Sequence, residues 1–276
     1  FNEHHDYPVV VFHDGLAEAS RAMLRAASQN RLWFFNIDGF EVAPRRGVGE
    51  LVHMPQGYRR VLRFLSRDIF DQPVLNSARY FLLLGTDSYF PGPVLEDPFR
   101  AMASQGAVLG YAYSVRDPAF VTQHLLDAAH LFKASSAFAS AKTRTSPGAM
   151  ASHFAGTNAM SMLKDTFGMA EALTTPFQGP EWNCEVLMGE PLLMDVRFWR
   201  RGEIRSFADW AEDFGGWWLY RWGDTAVRTI QAWLFLEQSQ LLRLNLSYAH
   251  KQHCTCSPGF SCAREIGPMG RFTCQA

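Results

Sequence analysis

Apolar residues in this chain fall into two kinds of segment. Val9 to Phe12, Leu32 to Ile37 and Tyr80 to Leu84 are nearly solid apolar runs of strand length. Such runs read as buried strands. Ala107 to Tyr113 and Asn183 to Leu187 join them. Between the runs, apolar residues recur at helical spacing over Leu16 to Gln29, Tyr58 to Ile69, Phe99 to Ser104, Phe120 to Ala139, Phe198 to Trp210 and Thr225 to Glu237. In Tyr58 to Ile69 the spacing lines Tyr58, Leu62 and Leu65 along one face, and the same rotation brings Arg59, Arg60 and Arg63 near one another. Arg45 to Gln56 contains Gly and Pro and reads as a loop. Residues 140–158, rich in Ser, Thr, Ala and Gly, read as a loop that could cover a substrate. Strand–helix alternation predicts an α/β fold with a mostly parallel central sheet flanked by helices. Ligands bind beyond the carboxyl ends of strands in such sheets. Asp87 stands there, just past the strongest strand, in the turn Gly85-Thr86-Asp87-Ser88.

Composition narrows the function. With 276 residues, 47% of them hydrophobic, the chain is long enough for a proper core. A formal charge of −1 exerts no long-range pull on nucleic acid or an anionic membrane surface. No stretch is apolar for long enough to span a bilayer. Neither G-x-G-x-x-G nor G-x-x-x-x-G-K-[ST] occurs, which weighs against a dinucleotide dehydrogenase and a P-loop kinase. The chain opens on Phe1, and its first strand follows within a few residues, so we expect a fragment that lacks its N-terminus. A missing targeting segment then carries no information about location.

The segment Gly215 to Asp224, GGWWLYRWGD, packs three tryptophans beside an arginine and an aspartate. Buried Trp and Arg need polar partners, and a carboxylate among them must be solvated, paired or working. Asp224 or Thr225 is placed to cap the helix that follows, at a helix start that also suits anions. The segment resembles the GGF(F/Y)YERWGDAPVHSIA signature of the fungal Golgi α-1,2-mannosyltransferases, glycosyltransferase family 15. Further blocks follow in the family's order. Tyr7 to Gly15 is similar to its YPVVVFHDG strand and turn, Gly57 to Phe64 to SYRHMCRF, and Tyr80 to Phe90 to YYWRVEPDVKF. Glu181 to Val186 resembles FWSNFEI, Phe198-Trp199-Arg200 resembles FWR, and Ser247 to His250 with His253-Cys254 resembles the closing GYRH…HC.

The resemblance implies a nucleotide-diphospho-sugar transferase fold of the GT-A type, as a single catalytic domain over residues 1–254 with a Cys-containing tail over 255–276. It implies GDP-mannose as donor, a glycan or glycoprotein acceptor, retention of configuration in an α-1,2 linkage, and Mn²⁺ as cofactor. By the same token it implies a type II protein of the Golgi lumen whose membrane anchor lies outside this sequence. Asp87 and His250 would hold the metal. The family's Glu-Pro-Asp reads Gly85-Thr86-Asp87 here, so either Asp87 takes over from the lacking glutamate or metal binding is weakened. Asp87 as a turn residue capping backbone amides is the competing account.

Glu185 matches the glutamate of FWSNFEI and would act as nucleophile or stabilise oxocarbenium charge; pairing with an arginine is the alternative. Asp224 would bind sugar hydroxyls or take the acceptor's proton, and Tyr58 would position the sugar or pack the helix. Arg59, Arg63 and Arg221 would bind substrate, Arg being suited to bidentate phosphate contacts. Trp218 and Trp222 would stack on sugar rings, with at least one of the three tryptophans structural. A relative using another nucleotide sugar and a non-catalytic carbohydrate-binding relative are the rival functions. Four of the five cysteines, Cys254, Cys256, Cys262 and Cys274, fall in the last 23 residues. Disulfides, a zinc site completed by His250 or His253, and a weakly ordered tail with incidental thiols are all compatible with their spacing.

Overall fold

The structure, a computed structural model, describes residues 2–28, 31–37, 56–135, 184–250, 253–264 and 271–275. The loops expected before Gln56 and over 140–158, together with Trp182 and Asn183, lie outside them. Two compact units are formed, Phe1–Gly49 and Glu50–Ala276.

The first unit holds α1 (Asn2–His5), β1 (Val9–His13), α2 (Glu18–Ala27) and β2 (Leu32–Asn36). β1 and β2 pair in parallel from Val9↔Leu32 to His13↔Asn36. Asn36 Oδ1 accepts from the Gly15 amide at 3.2 Å, tying the turn after β1 to the end of β2.

The second unit begins with α3 (Gln56–Ser66), then β3 (Tyr80–Leu83), β4 (Ser88–Tyr89), α4 (Pro98–Gln105), β5 (Leu109–Tyr111), β6 (Ser114–Arg116) and α5 (Leu125–Ala134). It continues with β7 (Glu185–Leu187), β8 (Leu192–Asp195), α6 (Val196–Trp199), α7 (Gly202–Asp213), α8 (Gly216–Leu219) and α9 (Asp224–Phe235). It closes with β9 (Leu241–Arg243), β10 (Tyr248–His250), β11 (His253–Thr255), β12 (Ser261–Arg264) and β13 (Phe272–Gln275).

Its main sheet has the order β3-β8-β5-β9. Only β5 and β9 run in parallel; β8 lies antiparallel to both β3 and β5. The sheet of this unit is therefore mixed, not mostly parallel. Apolar content alone does not reveal strand direction, and β8, the strand that reverses it, is only four residues long. Every residue of β8 is buried. Leu193 packs in one core with Met102 of α4, Ala107, Leu244 and Leu246. Asp97 starts α4 by accepting from the Phe99 amide at 3.0 Å, with Pro98 behind it, and left-handed Gly106 ends it.

α3, α5 and α7 gather around α9, whose residues Ala226 to Leu234 are all buried. Phe132 of α5 meets Phe207 and Trp210 of α7 and Phe235 of α9 edge-on. The long helix expected from Phe120 is broken: His124 adopts a left-handed φ of 59°, and α5 starts only after it. α3 is rotated relative to its apolar spacing. Arg59 and Leu62 are buried at 4% exposure each, whereas Tyr58 is 41% exposed. The helix buries a guanidinium because a carbonyl meets it there.

Residues beyond 253 do not trail away. β11 pairs with β10, β12 with β13, and Cys254–Cys262 and Cys256–Cys274 are disulfides. Of the three accounts of these cysteines, the structure has the disulfides.

Candidate active site

β3 stops at Leu83, and the chain turns through Gly85-Thr86-Asp87 into β4. β4 pairs antiparallel with β10, with His250 opposite Ser88. That register sets His250 beside Asp87, and Nε2 lies 2.9 Å from Asp87 Oδ1. A third group joins them. Glu190, in the turn between β7 and β8, brings Oε2 to 4.0 Å from His250 Nε2. The three ligand atoms all lie within 4.8 Å of one another. The histidine side chain is 9% exposed, that of Glu190 23% and that of Asp87 52%, so the cluster has one open side.

Sequence reasoning did not find Glu190. Its signal was available only by analogy with Asp87, as an acid at the end of a short apolar run. Two oxygens and an imidazole nitrogen form a donor set suited to Mn²⁺ or a similar divalent ion. The residues present thus fit the metal that the resemblance implies.

The turn that carries Glu190 also reaches Asp224. A Cβ built on Gly189 would fall 2.5 Å from Thr225 Oγ1 and 3.1 Å from Asp224 Oδ2. Side chains at the start of α9 are therefore pressed against this turn, one residue from Glu190. Asp224 is the first helical residue and Gly223 the N-cap, so Asp224 does not cap α9 from outside. Burial pushes the Asp224 carboxyl up, opposed by the Arg228 charge one turn below and by the Thr225 and Asp224 amides. Arg228 is itself buried; burial lowers its pKa to about 10, against the pull of Asp224, and it stays charged at neutral pH. Its Nη2 donates to the Leu65 carbonyl at 2.8 Å, and its guanidinium lies over Phe70 and Trp199.

A second carboxylate near Asp224 also escaped the sequence. Asp117, just past β6, is pushed up to about 6 by burial and then by the Asp224 charge, with Arg221 opposing. Arg221 adopts a left-handed φ of 57° and lays its guanidinium 5.5 Å from the Tyr58 ring centroid and 5.8 Å from that of Phe120. Its Nε is buried without a hydrogen-bond partner among the described residues. Tyr58, half-exposed beneath this arginine, packs as part of the same cation–π stack.

Glu185 leads into the Glu190 turn through β7. Its Oε1 accepts from Ser114 Oγ at 2.6 Å across the β6–β7 pair. The Leu187 amide donates to Thr229 Oγ1 at 2.9 Å, fixing β7 on α9.

The remaining expected substrate contacts are engaged by the protein itself. Arg59 Nη1 donates to the Trp218 carbonyl at 2.6 Å. Arg63 Nε donates to Glu212 at 2.6 Å, and its Nη1 pairs closely with Asp68. These two arginines thus join α3 to α8 and α7 instead of presenting a free fork to phosphate. Trp218 is buried and donates Nε1 to Glu212 at 3.0 Å. Trp222 is fully buried, donates to the Gln123 carbonyl at 2.7 Å, and stacks on Phe214 and Tyr220. Its ring fills the space where a Cβ on Gly216 would sit. Trp217 is fully buried as well and donates to Ser66. All three tryptophans are packed inside, and the close approach of Gly216 to the Trp222 ring lets the chain fold over that ring's face.

The same fold occurs in solved structures. Core-mannan synthase A from Aspergillus fumigatus, in a Mn/GDP form, superposes with a TM-score of 0.72 at 18% identity, over 94% of this chain and 72% of that one. The mannosyltransferase Ktr4p from Saccharomyces cerevisiae in complex with GDP gives 0.72 at 17%, over 93% and 66%. The fold is accordingly a GT-A-like nucleotide-diphospho-sugar transferase fold. In sequence, the O-glycoside alpha-1,2-mannosyltransferase homolog 5 of Schizosaccharomyces pombe is 23% identical over 95% of this chain and 67% of its own length. The glycolipid 2-alpha-mannosyltransferase 2 of Candida albicans is 20% identical over 76% of this chain and 45% of its own. The chain thus spans about half to two-thirds of these relatives. Residues 51–266, most of the chain, match the family described as glycolipid 2-alpha-mannosyltransferase, and the chain belongs to that family of glycosyltransferases.

Proposed function

We propose that this chain transfers mannose from GDP-mannose to a glycan hydroxyl, retaining the α configuration and forming an α-1,2 linkage, in the Golgi lumen. One observation supports this above the others: Asp87 and His250, 163 positions apart in the sequence, meet at 2.9 Å beyond the end of β3 in a chain of this family.

A divalent ion held by the Asp87–His250 cluster would offset the charge that collects on the departing diphosphate. The chain's own residues do the rest. Glu185, oriented by Ser114, serves the anomeric carbon, as nucleophile or as a fixed negative charge beside the oxocarbenium-like centre. Asp224, its pKa raised by burial, is suited to accept the proton of the acceptor hydroxyl. Arg221 places positive charge beside Tyr58 and Asp117. The crowded turn at Gly189 packs Asp224 against the residue that precedes Glu190. Donor and acceptor chemistry would therefore share one pocket.

The test is a donor screen. GDP- and UDP-sugars, each with Mn²⁺ or with EDTA, are scored for hydrolysis and for transfer to mannosides. GDP-mannose with Mn²⁺ is expected to be the productive pair. Turnover of a UDP-sugar alone would replace this donor, and binding of mannosides without any turnover would favour a carbohydrate-binding relative.

A further inference from the structure

We infer that Glu190 is a ligand of the divalent ion, and that the missing side chain at Gly85 is what admits it; this deepens the GDP-mannose reading of the same site and rests on it. A Cβ added at Gly85 would fall 2.0 Å from Glu190 Oε2 and 2.9 Å from its Cδ. Real Cβ atoms never approach so closely, so the Glu190 carboxylate occupies the volume in which a side chain at 85 would begin. The same point lies 3.2 Å from Asp87 Oδ1. A carboxylate has therefore entered from the turn between β7 and β8 into the place where the Gly85-Thr86-Asp87 turn lacks one of its own.

The geometry suits a shared cation. Ligand atoms about 2.0–2.6 Å from a hard divalent ion lie roughly 3–5 Å from one another. Asp87, Glu190 and His250 meet that condition pairwise. Their chemistry suits it too, with two hard oxygens and one imidazole nitrogen. The anchoring is also in place. Gly189 is wedged against Thr225 and Asp224, and Leu192 begins β8 immediately after Pro191, so the turn is held from both ends. Tyr113 borders the carboxylate: its phenol is pushed up to about 12, by burial first and then by the charge of Glu190, and so stays neutral beside the cluster.

The proposal makes positions 85 and 190 interdependent, which a double-mutant cycle measures. Mn²⁺ binding to the full chain with saturating GDP is followed by loss of the free-ion electron paramagnetic resonance signal, a readout independent of turnover. Glu190→Gln keeps the side chain's volume and removes its charge; it is expected to weaken Mn²⁺ about 100-fold with an unchanged melting temperature. Gly85→Ala pushes the carboxylate aside and is expected to weaken Mn²⁺ about tenfold in the wild-type background and not at all in Glu190→Gln. The exchange Gly85→Glu with Glu190→Gly is expected to recover most of the affinity.

Wild-type Mn²⁺ affinity in a folded Glu190→Gln variant would overturn the inference and leave the GDP-mannose function standing. So would Gly85→Ala and Glu190→Gln effects that simply add. Absence of Mn²⁺ binding in the wild type would remove the metal site altogether, and the inference with it, whereas the donor screen would still decide the function.

Discussion

Glu185 and Asp117 are both acids at strand ends, yet their surroundings assign them opposite tasks. Glu185 is held by a hydroxyl at 2.6 Å and matches the glutamate to which the family resemblance gives a role at the anomeric carbon. Glu185→Gln should abolish mannose transfer, by at least about 10³-fold in kcat, while GDP affinity by calorimetry stays within about twofold, because the isostere keeps shape and loses charge. Near-wild-type turnover in a folded variant would leave Glu185 as a mere partner of Ser114. Asp117 instead should report on stability. Its folded pKa of about 6 exceeds the ordinary 3.8, so the folded state keeps a proton that the unfolded state releases between those values. Stability then falls as pH rises from about 4 to about 6 and stays lower above that. Asp117→Asn should melt with the wild type near pH 4 and above it at pH 8, by a difference of the order of 2 kcal/mol; equal melting at both pH values would contradict the shift.

At this scale Asp87 and His250 were legible in the sequence, since each sits in a motif. Glu190 was not, because its partners lie more than fifty residues away in either direction and no local spacing links them. The inward packing of all three tryptophans was not legible either: aromatic crowding says that rings will pack, not whether they pack inward or on a ligand.

Among the elements, the strands and helices with long or solid patterns were legible, and their directions and rotations were not. β3, β5 and α9 fall where apolar spacing puts them. β8 was missed, and with it the reversal that makes the main sheet mixed, because three apolar residues and an aspartate after a proline carry no signal of direction. α3 was found but turned the wrong way, since burial of Arg59 depends on the Trp218 carbonyl, 159 positions on.

The C-terminal strands bear on function through the same kind of distant contact. β11 extends the sheet that carries His250, and the Cys254–Cys262 and Cys256–Cys274 bonds lock it to the β12–β13 hairpin. The hairpin in turn grips the segment after Asp87: Cys274 N donates to the Pro91 carbonyl at 3.1 Å, and Tyr89 Oη donates to the Phe272 carbonyl at 3.2 Å. Each disulfide should contribute about 2–3 kcal/mol. Reduction with dithiothreitol is expected to lower the melting temperature and to weaken Mn²⁺ binding about tenfold, since it frees both arms of the Asp87–His250 pair. Unchanged Mn²⁺ affinity in the fully reduced protein, verified by thiol counting, would show that the hairpin braces nothing at the site.

For the molecule as a whole, collinear motifs identified the family, which the match over residues 51–266 bears out. No helix among the described residues is long and apolar enough to cross a membrane. The broad architecture followed from alternation, and the chain divides after Gly49, within the Gly- and Pro-containing segment Arg45 to Gln56 that interrupts the apolar spacing. The function proposed for the chain, with Asp87, Glu190, His250, Asp224 and Glu185 in one working site, is to join two sugars with a defined linkage. The decisive measurement is nuclear magnetic resonance of the product formed from GDP-mannose and an α-methyl mannoside, in Mn²⁺ and in EDTA. The account predicts a new α-1,2-linked disaccharide in Mn²⁺ and none in EDTA. A β-linked product, or equal yield without the metal, would contradict it.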